Sequence, residues 1–450
     1  MRALPRNVDV AVLGAGPAGS AAAIRLAQLG CEHVILIDRM LPSTFTIGET
    51  VSPVIQPTLE KLDAADVLER GHNRADGVAS SWGSASLGYR DFFTDAQGPG
   101  WHLDRAQFDL QLSNLAKDRG AEVLHGMRVA SAKRSKNHWD LRILRSSGSP
   151  EHHQIKARFV IDATGRRAAF ARRQNARRVR IDCQIGIARI YEGESKFTHG
   201  YAMIEAVSIG WWYCASIPEA RTIVVLMTDG DLARRGAFLS VPVWCDLLAQ
   251  TNHIQNRIST ARPSSSTFGV NAASGFLDKV AGAGWVAAGD SAATFDPLTS
   301  SGIVNALRSG ISSAQVAVDY LSGQIGQSYS VHSRREYENY LNGRRMYYST
   351  EGRWKDNTYW KRRNSPILID PEAYITTERS CKVHNRMRNK LLPREEIDQI
   401  ITECKGGTQL SSVVANAVRR LDPLGVTPRR IIEAIQRLVE TKVLKIIDAC

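Results

Sequence analysis

The densest chemical signal in the chain is Gly14-Ala15-Gly16-Pro17-Ala18-Gly19. Gly14 suits a tight turn after a strand, Gly16 lets a pyrophosphate approach the backbone, and Gly19 lets the next helix pack closely. The amino terminus of the helix that follows would offer partial positive charge and free N–H groups to phosphates. Asp38 follows Gly14 by 24 residues, a spacing at which a carboxylate accepts from ribose hydroxyls, with Arg39 beside it. Arg105 adds a cation at the start of a later helix. Asp162-Ala163-Thr164-Gly165 and Gly289-Asp290 each end an apolar strand, and Asp290 suits a ribityl chain or a ribose. A helix opening at Gly302 and Ile303 would aim its dipole at the pyrimidine edge of a flavin and stabilise negative charge on the reduced ring. Together these residues read as a site for FAD. The sequence suggests neither a Ser/His/Asp triad nor a metal-binding cluster, so no metal is expected.

The elements that must position these residues are visible as hydrophobic periods. Val8 to Leu13 is a short apolar strand, Ser20 to Leu29 an alanine-rich helix stopped by Gly30, and Val34 to Ile37 a second buried strand. This βαβ opening fixes the class as α/β, with a Rossmann-type domain. Leu103 to Arg119 reads as an amphipathic helix, and Phe159 to Ile161 and Trp285 to Ala288 as further strands. Between them the pattern changes to strand-like runs, Gln184 to Tyr191, Tyr201 to Ser208, Trp211 to Ile217 and Thr222 to Met227, which predict an antiparallel sheet. The expected organisation is a discontinuous FAD domain (1–180 and 268–330) with a substrate-binding sheet (181–267) inserted. An aromatic, basic helical segment (331–392) and a small helical, winged-helix-like module (393–450) follow.

Composition limits the classes. The chain has 450 residues, 43% of them hydrophobic, too many for a mainly disordered protein and enough for more than one core. No apolar run approaches the ~20 residues needed to cross a bilayer. Seven scattered cysteines without a CxxC pair read as reduced thiols, and the expected location is the cytoplasm. The net charge of +13 is uneven: from Val331 to Cys450, 23 Lys and Arg stand against 15 Asp and Glu. A basic balance of this kind fits an acidic partner surface as well as a solvated one.

The three ordered motifs, GAGPAG, DATG and GDSAATFDPLTSSG, resemble those of the flavoprotein monooxygenases of the para-hydroxybenzoate hydroxylase type, over roughly residues 8 to 363. Within that group the chain is similar to the flavin-dependent halogenase branch. The similarity rests on Ile47-Gly48-Glu49-Thr50, Gly210-Trp211-Trp212-Tyr213 through Pro218, the Asp296 to Gly302 loop, and Arg353-Trp354 through Arg363. It implies FAD held by Gly14, Gly16, Ala18, Gly19, Asp38, Arg39, Arg105, Val129, Asp290, Gly302 and Ile303. It also puts Glu49, Thr299 and Ser300 near the reactive edge of the flavin. Trp82, His102, Trp211 and Trp212 are the candidates for a substrate wall, although such side chains at strand positions are commonly core.

Two departures from the halogenase pattern matter. Tryptophan halogenases use a lysine to hold or aim hypohalous acid, and this chain has no lysine between Lys61 and Lys117. The acid such enzymes carry in the flavin-edge loop is replaced by Thr299. Direct oxygen transfer from a flavin hydroperoxide needs neither group. The resemblance therefore implies aromatic hydroxylation, of the kind carried out on peptidyl tryptophan when the tryptophylquinone of quinohaemoprotein amine dehydrogenase is made. The implied partners are a tryptophan-containing protein or peptide and, for electrons, NAD(P)H or a flavin reductase. No membrane is implied, and nucleic acid is not expected. Two alternatives stand beside this reading: a flavin-dependent halogenase or small-molecule aromatic hydroxylase, and a flavin-binding regulator or assembly factor. Arg419, Arg420, Arg429 and Arg430 of the carboxy-terminal module are the expected contacts for a protein partner.

Overall fold

The strand Asn7–Leu13 runs through the middle of the first sheet, parallel to His152–Asp162 on one side and to Val34–Ile37 on the other. Strands covered on both faces are apolar without alternation, and Val10, Val12, Ile35, Leu36, Val160 and Ile161 are fully buried. Trp285–Ala287 extends the sheet beyond His152–Asp162, and Glu122–Leu124 extends it beyond Val34–Ile37. This computed structural model describes residues 5–41, 47–93, 95–147, 152–193, 200–324, 328–364, 374–377, 391–421, 426, 428–440 and 443–447. The expected α/β class with a Rossmann-type domain is the observed one.

The carboxyl ends of four strands meet at one edge. Gly14 N donates to Ile37 O at 2.7 Å, Ala163 N to Leu13 O at 2.8 Å, and Ala288 N to Asp162 O at 2.9 Å. Asp162 is fully buried and holds the turns together. It accepts from Thr164 N and Oγ1, from Phe170 N and Ala171 N, and from Ser291 Oγ. Charge-assisted bonds from several N–H groups are what make a buried carboxylate tolerable. Helices Pro17–Gln28 and Gly302–Leu321 pack against each other beside this edge. A Cβ at Gly310 would lie 2.2 Å from Ala18 O, so their approach requires glycine there.

The second sheet is more extensive than the sequence suggests. Gln184–Glu192, Arg221–Asp229, Gly210–Ile217 and Tyr201–Val207 form the antiparallel part. Gly77–Ser81 then adds in parallel to Tyr201–Val207, and Gly88–Asp91 continues from it. Hydrophobic layers cover both faces: Trp212, Cys214, Val224 and Leu226 on one side, and Trp211, Ala215, Ile223 and Val225 on the other.

The segment after 330 divides into helices Ser328–Ser349 and Thr358–Asn364. They bring a buried polar network to the second sheet. Arg344 bridges Asp296 (2.8 Å) and Asp182 (2.9 Å). Tyr348 O–H donates to Asp296 at 2.9 Å, and Arg363 joins Asp229 to Gln184, each at 2.8 Å. The module beyond contains Arg394–Glu403, Leu410–Leu421 and Pro428–Glu440, with a small sheet of Tyr374–Thr377, Thr408–Gln409 and Leu444–Ile447. Two of its arginines correct the expectation of a basic contact surface. Arg430 is buried, donating to Leu391 O and stacked on Phe276, while Arg420 is paired with Glu396 and Glu403. The Arg429 side chain lies outside the described residues. Among the described residues, no helix is long and apolar enough to cross a membrane.

Removing the Arg344 guanidinium would leave the buried Asp296 carboxylate short of its cation. Arg344→Met should therefore cost ~3–5 kcal/mol in urea unfolding. Arg235→Met, at an exposed pair with Asp231, should cost no more than ~1 kcal/mol.

Candidate active site

Gly14 has φ +106°, and a Cβ there would lie 2.2 Å from Ala163 O. At Gly16 a Cβ would meet no atom of the protein within 4 Å, so the chain leaves open space where a phosphate would approach. Gly16 caps Pro17–Gln28 with no side-chain bond, and the first turn holds no acid. The same is true of Ser301 at the start of Gly302–Leu321, and Gly302 also faces open space. Two helix amino termini thus keep their first N–H groups free of side-chain caps, an arrangement suited to negative charge. These features fit FAD.

The other residues expected to hold FAD lie on several elements. Asp38 accepts from Ala15 N and Met40 N, both at 2.6 Å, so its carboxylate also fixes the glycine turn. Arg39 is exposed, and Val129 is half-buried in Met127–Arg134. Arg105 is held by Asp109 at 3.0 Å and donates to Ile47 O at 3.1 Å. Asp290 pairs with Arg166 at 3.3 Å, while Arg178 donates to the Asp290 and Ser291 carbonyls. Ile303 is buried under the first turn of its helix. Both arginines lie in the basic cluster from Arg166 to Arg180, a charge run that suits solvent, an acidic partner, a nucleic acid or the phosphates of a nucleotide cofactor.

Glu49 is 3% exposed, and neither carboxylate oxygen has a hydrogen-bond partner. Burial raises its pKa from 4.5 to about 7. The backbone N–H groups of Gly48 and Glu49 and the Arg105 charge pull the other way without overcoming that burial. Next to it, Thr50 Oγ1 bonds to His102 Nδ1 at 2.9 Å and to Tyr213 Oη at 2.7 Å. His102 is fully buried, its Nε2 unpartnered, and burial lowers its pKa to about 4. It is therefore a neutral imidazole inside the fold and not a surface of the pocket. Tyr213, also pushed upward by burial and by Glu49, stays a protonated phenol.

The proposed substrate wall needs two corrections. Trp212 is fully buried against Trp244, 5.1 Å between centroids, on the far face of the sheet. Trp211 is 1% exposed and donates from Nε1 to Tyr348 Oη. Both are core, because helices cover both faces of this sheet. Trp82 does stand at the margin, half-buried, packed edge-on to Tyr348 and Trp360 and bonded to Tyr347 O at 3.0 Å. With it on the same layer are the partly exposed Ile47, Tyr213, Leu298 and Trp354. Leu298 belongs to the loop whose turn is capped by Asp296. In that loop Thr299 Oγ1 contacts Ser301 Oγ at 2.7 Å, and Ser300 takes a left-handed conformation, φ 47°. The sequence motif contained Tyr213 and Trp354 but gave no sign that they would be less buried than Trp211 and Trp212.

Residues 7–196 match the family described as the FAD binding domain. The chain is an FAD-dependent enzyme. It is similar to the putative FAD-dependent oxidoreductase LodB of Marinomonas mediterranea, 27% identical across 80% of this chain and 97% of that relative. It is also similar to the tryptophan 2-halogenase of Chondromyces crocatus, 25% identical across 72% of this chain and 63% of the other. In fold it matches the myxobacterial chondrochloren halogenase CndH, with a TM-score of 0.71 at 19% identity, covering 92% of this chain and 97% of that one. These relations support the superfamily of FAD monooxygenases and halogenases.

Two outcomes follow. Gly16→Val should leave the fold intact, since its side chain meets no protein atom, yet abolish FAD uptake measured by absorbance after reconstitution. The raised pKa of Glu49 means that the folded chain binds this proton more tightly than the unfolded one. Stability of the apo protein should therefore fall by ~3 kcal/mol as pH rises from about 4.5 through about 7, and Glu49→Gln should remove that fall in urea melts.

Proposed function

We propose that the protein is an FAD-dependent monooxygenase that hydroxylates an electron-rich aromatic ring, with a tryptophan inside a peptide as substrate, for the making of a tryptophylquinone. The observation that carries the reading is Glu49, a buried carboxyl with no hydrogen-bond partner that titrates near neutrality. Substitution on an aromatic ring releases a proton from the carbon attacked, and a carboxylate with a pKa near 7 is suited to take it. Bound FAD, once reduced by NAD(P)H or a flavin reductase, supplies the electrons that activate dioxygen.

The chain's own residues do the rest. The Gly14 to Gly19 turn, Arg105 and the uncapped amino terminus at Gly302 would hold and orient the cofactor. Trp82, Tyr213, Leu298 and Trp354 offer an apolar, aromatic face to an indole and exclude water. Thr50 ties Tyr213 to His102, fixing the phenol beside Glu49. Hydrogen, electron and oxygen balance is simple: one oxygen atom enters a ring C–H, and the second leaves as water with two electrons and two protons.

A second reading, transfer of a halogen, is favoured by a specific observation. Several relatives are named halogenases, including the tryptophan 2-halogenase and a pyrrole brominase of Pseudoalteromonas luteoviolacea. Their names speak for halogen more than for hydroxyl. What speaks for hydroxyl is the absence of any lysine between Lys61 and Lys117 and the threonine at 299, which leave hypohalous acid without the groups that would aim it. Glu49 serves either transfer.

The test is mass spectrometry of a tryptophan-containing peptide after reaction with chemically reduced enzyme under labelled dioxygen, with chloride and bromide present. Hydroxylation should add one labelled oxygen and no halogen. The rate should rise with pH through about 7, and Glu49→Gln should lower it ~100-fold and flatten the profile. A halogenated indole would establish the second reading, and an unmodified peptide together with oxygen consumption would overturn both.

A further inference from the structure

Of the nine tryptophans, seven are at most 3% exposed, and the two that keep accessible surface are Trp82 and Trp354. Both lie on connections: Trp82 follows strand Gly77–Ser81, and Trp354 stands between helices Ser328–Ser349 and Thr358–Asn364. Both rest on Trp360, whose Nε1 donates to Val207 O at 2.8 Å. Trp82 meets it edge-on at 5.3 Å between centroids, and Trp354 lies against it at 6.1 Å and 29°. Glu351 joins the two connections. Its carboxylate is fully buried, accepts from Gly83 N at 2.7 Å and from Arg353 N at 2.9 Å, and pairs with the Arg353 guanidinium at 2.5 Å. Arg353 Nη2 also donates to Ser81 O at 3.2 Å, and its guanidinium lies 4.3 Å from the Trp354 ring centroid. Gly83 has φ +72°, and a Cβ there would lie 2.7 Å from Thr350 O, so the close approach of the two connections requires glycine.

Connections are the parts of a fold that move most readily, and these two are 268 residues apart in the chain. A buried ion pair adds little stability over apolar packing of the same volume. We propose that Glu351 is a positioning residue, which fixes Trp82 and Trp354 relative to each other and so shapes the wall against which the substrate ring lies. The inference rests on the reading of these two tryptophans as substrate wall. Glu351 acts through its neighbours: through the Gly83 main chain on Trp82, and through Arg353 on Trp354. An aromatic ring gains from a partner held at a defined offset or edge-on distance, so loosening the wall weakens substrate binding and leaves the chemical step intact.

The test is steady-state kinetics of the full, FAD-loaded chain on the tryptophan-containing peptide, with iodide quenching of tryptophan fluorescence on the same samples. Glu351→Gln should raise KM about tenfold and change kcat by no more than about twofold. Glu351→Gln with Arg353→Met removes both charges and leaves no unpaired ion buried, so it keeps the test open if the single variant does not fold, and it should show the same rise. Iodide should quench more of the emission in either variant than in the parent chain, because the other seven tryptophans are out of its reach. In the Trp82→Phe background, Glu351→Gln should raise KM by less than it does alone. Unchanged KM and unchanged quenching would overturn the proposal, as would a loss of FAD or a fall in kcat at constant KM. If the parent chain leaves the peptide unmodified, the monooxygenase reading fails, and the quenching alone decides whether Glu351 fixes the two indoles.

Discussion

The structure depends on one buried carboxylate, that of Asp296. It is fully out of water, and it is tolerable there because Arg344 and Tyr348 bond to it and its own side chain caps the turn at Leu298. Through Arg344 the same charge reaches Asp182 at the entrance to the second sheet. Through Tyr348 it reaches Gln184 and Trp211. The flavin-edge loop, the sheet and the aromatic helices are thus fixed to one another by a single polar network. A buried pair of this kind adds little net stability over an apolar replacement, but breaking one partner is expensive. Its contribution is to specify one arrangement of three parts that are far apart in sequence.

That arrangement explains the contrast between two acids near the loop. Asp296 has a cation and holds its proton weakly, its pKa lowered chiefly by Arg344 against the penalty of burial. Glu49 is equally buried, and the backbone N–H groups of Gly48 and Glu49 and the charge of Arg105, which is also paired with Asp109, do not offset that burial. The one is a fixed negative charge that builds the site, and the other is a group whose proton can move near pH 7. Environments that drive two carboxyls apart in this way are how a fold assigns structural and chemical tasks to the same side chain.

Much of the cradle is legible in the sequence because glycine turns and apolar strands are local signals. Gly14, Gly16 and Gly19 lie where their spacing puts them, and Gly302 opens its helix as expected. The substrate side is less legible because it depends on which face of a strand is covered. Trp211 and Trp212 look alike in sequence, yet both are core, since helices pack on both sides of their sheet. Tyr213 and Trp354 are only partly buried in the same layer, and Trp354 stacks on Trp360 of the helix Thr358–Asn364. Gly77–Ser81 joined the second sheet across a long connection, which no local pattern announces. Arg430 counted as surface charge in the sequence and is buried through its stack on Phe276.

In the proposed function Glu49 takes the ring proton, while the Gly14 to Gly19 turn and the amino terminus at Gly302 would hold FAD. The most direct measurement is a crystal structure of the FAD-loaded protein. FAD is expected against the Gly14 to Gly19 turn and the amino terminus at Gly302, with Asp296 and Arg344 still paired and no cation on Glu49. FAD bound elsewhere, or a Glu49 carboxylate engaged in an ion pair, would contradict the proposed function.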